Sequence, residues 1–291
     1  MKHWMKKACA AIVGGMVALT ATTMTAEAAP VPAGSEYVAL GDSFAAVGSL
    51  TQPQALTHPF CGKAADNYPH VLASQLNLNL VDATCGWART NDYWAPQNFP
   101  LPGMALQGQR EHLGPNTKLV TLTLGGNDSG TMEIGPCVFT WATSLGNCRQ
   151  TMGVAADNLI NSTDNYAGKN LEGRLNDIVA DIRQQAPNAQ VVVTGYYNIF
   201  RTDMQCLENG HLSQDDLQYI QDDFIGQLNS ISQRVAANND ATFVSAPDDL
   251  LSCGPVGQRN ASFTGVFDNA LPFHPTSQGQ AAMASAIAAA L

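Results

Sequence analysis

Three places in this chain put together the residue types that acyl transfer needs. Gly41-Asp42-Ser43-Phe44 supplies a hydroxyl directly after an apolar run, and Leu124-Gly125-Gly126-Asn127-Asp128 supplies a side-chain amide after another. Leu271-Pro272-Phe273-His274-Pro275 supplies an imidazole between two prolines, whose fixed φ stiffens a loop. A serine hydroxyl is a poor nucleophile until a base takes its proton, and a carbonyl under attack needs donors for the oxyanion that develops. Ser43, His274 and Asn127 are therefore candidates for nucleophile, base and donor. Each has a plainer reading. Gly-Asp-Ser and Asn-Asp-Ser-Gly are good turn formers, and Asp42 and Asp128 suit turns and strand ends better than acid catalysis. His58, followed by a proline upstream of Cys61, is the rival base.

A further apolar run is followed by Thr84-Cys85-Gly86-Trp87-Ala88. A backbone N–H there, from Gly86 or Trp87, would face the same point as Ser43. The glycines after Leu124 are not spaced G-x-G-x-x-G and no Walker lysine follows, which excludes a phosphate-cradling loop. No G-x-S-x-G occurs in the serine, aspartate, histidine order of the α/β-hydrolases.

Residues 43, 127 and 274 are far apart in the chain, and a sheet must bring them together. Five apolar, β-branched runs read as strands: Tyr37–Leu40, Leu78–Val81, Leu119–Leu124, Val191–Thr194 and Thr242–Val244. Helical patterns lie between them at Tyr68–Leu76, Leu171–Gln185 and Leu217–Asn238. In the second of these, Leu171, Leu175, Ile178, Val179 and Ile182 recur at three- and four-residue spacing, and Pro187 ends it. A last helix opens after Pro275, with Ser277 and Gln280 spaced as a capping box. Alternating strands and helices imply one α/β domain with a parallel sheet covered on both faces, and ligands collect at the carboxyl edge of such a sheet. The stretches Trp87–Gly114 and Ser129–Met152 are long and irregular and are expected to wall a cleft there. Trp87, Tyr93, Trp94, Phe99, Leu101 and Met104 make those walls apolar.

Residues 1–28 differ in kind. Lys2, Lys6 and Lys7 precede the apolar run Ala8–Ala21, and Ala26 and Ala28 flank Glu27 as small residues at a cleavage site. This is the pattern of a secretory signal peptide, leaving residues 29–291 as a single exported domain without a stable membrane anchor. Its removal takes away three lysines and one glutamate, so the mature chain is still more acidic than the formal −10 of the whole, which argues against nucleic-acid binding. Six cysteines remain, Cys61, Cys85, Cys137, Cys148, Cys206 and Cys253. An even number without Cys-x-x-Cys pairs or Cys/His clusters reads as disulfides and not as a metal site. Fifteen pairings are possible, and pairing in chain order is the simplest, each bridge contributing roughly 2–4 kcal/mol.

Taken together, Gly41-Asp42-Ser43-Phe44, Gly125-Gly126-Asn127-Asp128 and His274-Pro275 resemble blocks I, III and V of the GDSL esterases and lipases, also called SGNH hydrolases. The six cysteines resemble the secreted actinobacterial lipases, esterases and phospholipases of that family, whose bridges pair in chain order. The resemblance implies a flavodoxin-like three-layer α/β/α sandwich around a five-stranded parallel sheet. Ser43 would be nucleophile and His274 base, with an oxyanion hole made by the Ser43 N–H, a block II N–H and the Asn127 amide. It implies ester hydrolysis with no metal or organic cofactor, an ester substrate as the partner, and a monomer.

Two departures bear on this. Relatives usually carry a glycine where this chain has Trp87, so the block II donor lies between Gly86 and Trp87. Many also carry an aspartate three residues before the histidine, where this chain has Leu271. Similar actinobacterial enzymes use a main-chain carbonyl instead, and the Leu271 carbonyl is expected to orient His274. Asp268 is too far upstream for the usual spacing, so Asp268→Asn should keep most activity, while a loss on the order of 10⁴ in kcat would mark it as the acid. The same residues could serve a carbohydrate O-acetyl esterase, and the scaffold could also be a non-catalytic binding protein.

Overall fold

The computed structural model describes residues 30–53, 59–99, 105–129, 168–200, 212–247, 254–262 and 267–291, with further positions at 149, 157, 158, 160–163 and 265. Residues 1–28, expected to be a signal peptide, lie outside the described residues with His58, Leu101, Met104, His211 and the cysteines at 137, 148, 206 and 253, as does nearly all of the Ser129–Met152 stretch.

Five parallel strands form the main sheet: β1 (Glu36–Gly41), β2 (Asn79–Asp82), β3 (Thr117–Thr123), β4 (Gln190–Thr194) and β5 (Thr242–Val244). Their order is β2-β1-β3-β4-β5. All five expected runs are strands, with ends moved by a residue or two. Both faces are covered, as their unbroken apolar character requires. On one face Val38, Leu40, Val120, Leu122, Val191 and Val193 pack under the helices Leu171–Gln185 and Gly226–Asn238. On the other, Tyr37, Ala39, Leu119, Val192 and Val244 meet the helices Tyr68–Leu76 and Ser277–Ala290. The alternation of Tyr37 and Ala39 with Val38 and Leu40 is the period-two pleat dividing one strand between two cores. The result is a three-layer α/β/α fold.

Among the described residues the α-helices with defined bounds are, in chain order, α1 (Ser43–Ala46), α2 (Tyr68–Leu76), α3 (Thr90–Trp94), α4 (Leu171–Gln185), α5 (Gln214–Gln218), α6 (Gly226–Asn238) and α7 (Ser277–Ala290). The expected helix over Leu217–Asn238 starts earlier, at Gln214, and is interrupted between α5 and α6 by a π-helical segment, Tyr219–Ile225. The expected capping box at Ser277 is corrected. The extended residue is Thr276, whose side chain accepts the Gly279 N–H at 3.1 Å. Gln280 does not reach back to the cap. Its Oε1 accepts the Tyr68 N–H at 2.8 Å and its Nε2 donates to the Phe44 carbonyl at 2.9 Å, so α7 is pinned to α2 and to the turn after β1.

β1 lies between β2 and β3, so the chain leaves β1 to one side and returns to the other. The carboxyl ends of β1 and β3 therefore flank the switch point of the sheet, where a crevice opens. A two-stranded antiparallel ribbon, β6 (Ala261–Ser262) and β7 (His274–Pro275), brings the last loop to that edge.

Candidate active site

β1 ends in a glycine because the next strand leaves no room for a side chain. A Cβ on Gly41, at φ +151°, would stand 2.5 Å from the Thr123 carbonyl oxygen. The Gln109 side chain holds this residue from both sides, accepting the Gly41 N–H at 2.8 Å and donating to its carbonyl at 2.9 Å. Asp42 follows as the N-cap of α1, its Oδ1 accepting the Phe44 N–H at 2.9 Å. Ser43 is thus the first residue of a helical turn, its hydroxyl set at the sheet edge. Asp42 is buried and also accepts the Tyr196 hydroxyl at 2.6 Å. Burial pushes its carboxyl up to about 7, and the hydrogen bonds from Tyr196 and the Phe44 N–H pull the other way. The folded state therefore holds this proton more tightly than the unfolded chain, and Asp42's contribution to stability drains away as pH climbs from the ordinary carboxylate range to about 7.

His274 lies against Ser43, with Nε2 and Oγ 2.8 Å apart. Its Nδ1 is 2.7 Å from the Pro272 carbonyl. A carbonyl can only accept, so Nδ1 carries the proton and Nε2 presents its lone pair to the serine hydroxyl. The expected orienting carbonyl, that of Leu271, is corrected to Pro272. The reason is a tight turn at Phe273, which has φ +64°: the Leu271 carbonyl accepts the His274 backbone N–H at 3.2 Å, and the next carbonyl faces the ring. Asp268 is engaged elsewhere, accepting the Gly257 N–H at 2.8 Å and facing Arg259 at 3.5 Å. Burial lowers the His274 pKa below the usual 6.5, with the Pro272 carbonyl opposing. Titration of the His274 ring protons by NMR should accordingly give a midpoint below pH 6.5, and a midpoint above it would contradict this environment.

On the β3 side, Asn127 lines the same cleft, and its Nδ2 donates to the Ala88 carbonyl at 3.0 Å, which fixes the amide plane. Asp128 binds the chain after block II: it accepts the Thr90 N–H at 2.9 Å and the Thr90 hydroxyl at 2.6 Å, and pairs with buried Arg174 at 2.6 Å. Both aspartates thus serve as turn and strand-end residues. Gly86 and Trp87 both line the cleft, but they differ as donors. The Gly86 N–H is given to the Cys61 carbonyl at 2.9 Å, whereas among the described residues no backbone acceptor stands at that range from the Trp87 N–H. Trp87 has φ +67°. This left-handed conformation costs a non-glycine residue about 1–2 kcal/mol and is the one a glycine adopts freely. It turns the indole outward, 56% exposed at the cleft mouth. The Cys61–Cys85 bridge holds this loop to the segment carrying Phe60.

The cleft has a volume of about 360 Å³. Its walls only partly match the aromatic residues expected from the sequence. Trp87 is there, but Tyr93 is buried with its hydroxyl on Asp181, and Trp94 packs between Tyr93 and Arg110. Phe99 stacks on Phe60, itself a lining residue. The deep apolar walls are Ile199 and Phe200, after β4, and Ile220, Phe224 and Ile225 from the π-helical segment. A π-helical turn widens a helix, and such turns recur at functional sites. The arrangement can activate a hydroxyl and hold an apolar chain beside it.

A model of the GDSL-like lipase/acylhydrolase family matches residues 39–282. The chain belongs to that family. It is 33% identical over 282 residues to "Lipase 2" of Streptomyces coelicolor, covering 93% of this chain and 91% of that one. Among solved structures, the extracellular lipase of Streptomyces rimosus superposes with a TM-score of 0.67 at 24% identity, over 88% of this chain and all of that one. Phospholipase A1 of Streptomyces albidoflavus gives 0.64 at 23% identity, over 89% and 100%. These two likenesses carry the fold. The chain is a carboxylic ester hydrolase of the GDSL type, with the five-stranded parallel sheet of these enzymes.

Sequence reasoning missed Tyr196, whose hydroxyl reaches both Asp42 and the Gly126 N–H. One signal was available: Gly195-Tyr196 directly follows the fourth apolar run, at the same strand-end level as Ser43.

Proposed function

We propose that the chain is an exported serine ester hydrolase that cleaves acyl esters through an acyl-enzyme on Ser43, with His274 as base. The observation that carries this is the 2.8 Å contact of Ser43 Oγ with His274 Nε2 inside an apolar cleft. Ser43 attacks the ester carbonyl as its proton passes to Nε2. The Ser43 N–H, the Trp87 N–H and the Asn127 amide receive the oxyanion, Gly86 being excluded because its N–H is spent on Cys61. His274 then protonates the leaving alcohol, and water releases the acid by the reverse route. The Pro272 carbonyl holds the imidazole's tautomer but, being neutral, steadies the imidazolium less than a carboxylate does.

The rest of the reading follows from export. Residues 1–28 are a signal peptide, residues 29–291 are one domain acting outside the cell as a monomer without a stable anchor, and Cys137–Cys148 and Cys206–Cys253 join Cys61–Cys85 as bridges. The apolar cleft favours lipid or other acyl esters over acetylated sugars. A p-nitrophenyl ester series run beside acetylated xylan tests this. The expected result is a kcat/KM that rises from acetate to longer acyl chains. A rate on the polysaccharide exceeding that on every acyl ester would favour the O-acetyl esterase reading.

A further inference from the structure

Tyr196 follows β4 and is 2% exposed. Its backbone is clamped by the side chain of Asn229 in α6, which accepts the Tyr196 N–H at 2.7 Å and donates to its carbonyl at 3.0 Å. Its hydroxyl stands between two loops, donating to Asp42 Oδ2 at 2.6 Å and accepting the Gly126 N–H at 2.8 Å. Asp42 immediately precedes Ser43 and caps its helical turn through the Phe44 N–H; Gly126 immediately precedes Asn127. The ring closes on Gly126 so tightly that a Cβ there would come within 2.9 Å of Tyr196 Cε1. It also meets Phe44, edge-on at 5.0 Å, and Phe44 in turn lies 5.2 Å from the His274 ring.

The Tyr196 hydroxyl therefore joins the residue before the nucleophile to the residue before the amide donor, reinforcing the hydrogen bond that the Gly126 N–H also gives to the Asp42 carboxyl. We propose that Tyr196 is a positioning residue whose hydroxyl sets the separation of Ser43 from Asn127, and so registers the nucleophile against the oxyanion hole. The inference rests on the ester-hydrolase reading above. Hydrogen bonds inside a buried site resist displacement, because a donor or acceptor left unsatisfied there bears its full desolvation penalty. Burying the Asp42 carboxyl works against folding as pH rises, so it is retained between these loops at a cost in stability. A misplacement of about 1 Å in such a site can lower the rate by about 10²-fold.

Tyr196→Phe keeps the ring against Phe44 and in the cleft wall and removes only the hydroxyl. The expected result is a kcat for a short p-nitrophenyl ester reduced by about 10- to 100-fold with KM within about twofold. Asp42→Asn, which replaces an accepting oxygen with a donor or a neutral acceptor, should cost a similar factor. The double variant should be no slower than the worse single one, because both break one connection. Amide exchange across 124–129 should quicken in Tyr196→Phe. A purely structural tyrosine would lower the Tm and leave kcat well below that temperature unchanged. Unchanged kcat in Tyr196→Phe beside an active wild type overturns this inference alone, as do fully additive losses in the double variant. A wild type inert toward every ester and fluorophosphonate overturns the ester-hydrolase reading and takes this inference with it.

Discussion

Ser43→Ala is expected to lower kcat on a p-nitrophenyl ester by about 10⁵–10⁶-fold, and His274→Ala by nearly as much, with the double variant no worse than either. In the proposed mechanism the two side chains act as a unit. Without the hydroxyl there is no atom to acylate, and without Nε2, 2.8 Å away, nothing removes the hydroxyl's proton as it attacks. The residual rate would come from the oxyanion donors and the cleft, which neither substitution touches. Initial rates on folded variants, matched by circular dichroism, measure it. Losses that multiply in the double variant would show that the two residues do not act together.

Asn127→Ala is expected to lower kcat by about 10²–10³-fold with little change in KM. In the proposed mechanism the amide donates to charge that exists only as the carbonyl is attacked, so removing it should take stabilisation from the transition state and not from the bound ester. Its Nδ2 contact with the Ala88 carbonyl holds the amide plane before substrate arrives, so little reorganisation is needed at the moment of reaction. Asn127→Asp should be at least as damaging, since it sets an acceptor where a donor is needed. A rise in KM with kcat intact would instead make Asn127 an ordinary contact to bound substrate.

The sheet was legible because buried parallel strands are short apolar runs, and Tyr37–Leu40 or Val191–Thr194 can hardly be read otherwise. The positions of Ser43 and Asn127 were legible for a related reason: each follows such a run directly, and the carboxyl edge of a parallel sheet is one place. Where backbone geometry departs from regular structure, the sequence was silent. The left-handed turn at Phe273 passes the orienting role from the Leu271 carbonyl to that of Pro272. The extended backbone at Thr276 makes it the cap in place of Ser277, freeing Gln280 to bind the Ser43 turn to α2. The π-helical segment turns Ile220, Phe224 and Ile225 together into the cleft, a grouping the 3.6-residue period does not predict. Trp87 shows the converse: a departure from the expected glycine is tolerated because its left-handed backbone sets the indole at the open mouth of the cleft.

In the proposed mechanism Ser43 is a nucleophile made reactive by His274. Intact-mass and peptide mapping after exposure to a fluorophosphonate tests it most directly, because the reagent requires the activated hydroxyl but no particular acyl chain. The expected result is one adduct per chain, mapped to Ser43, absent in Ser43→Ala and strongly slowed in His274→Ala. Folded protein that stays unlabelled, or an adduct on a different residue, would contradict it.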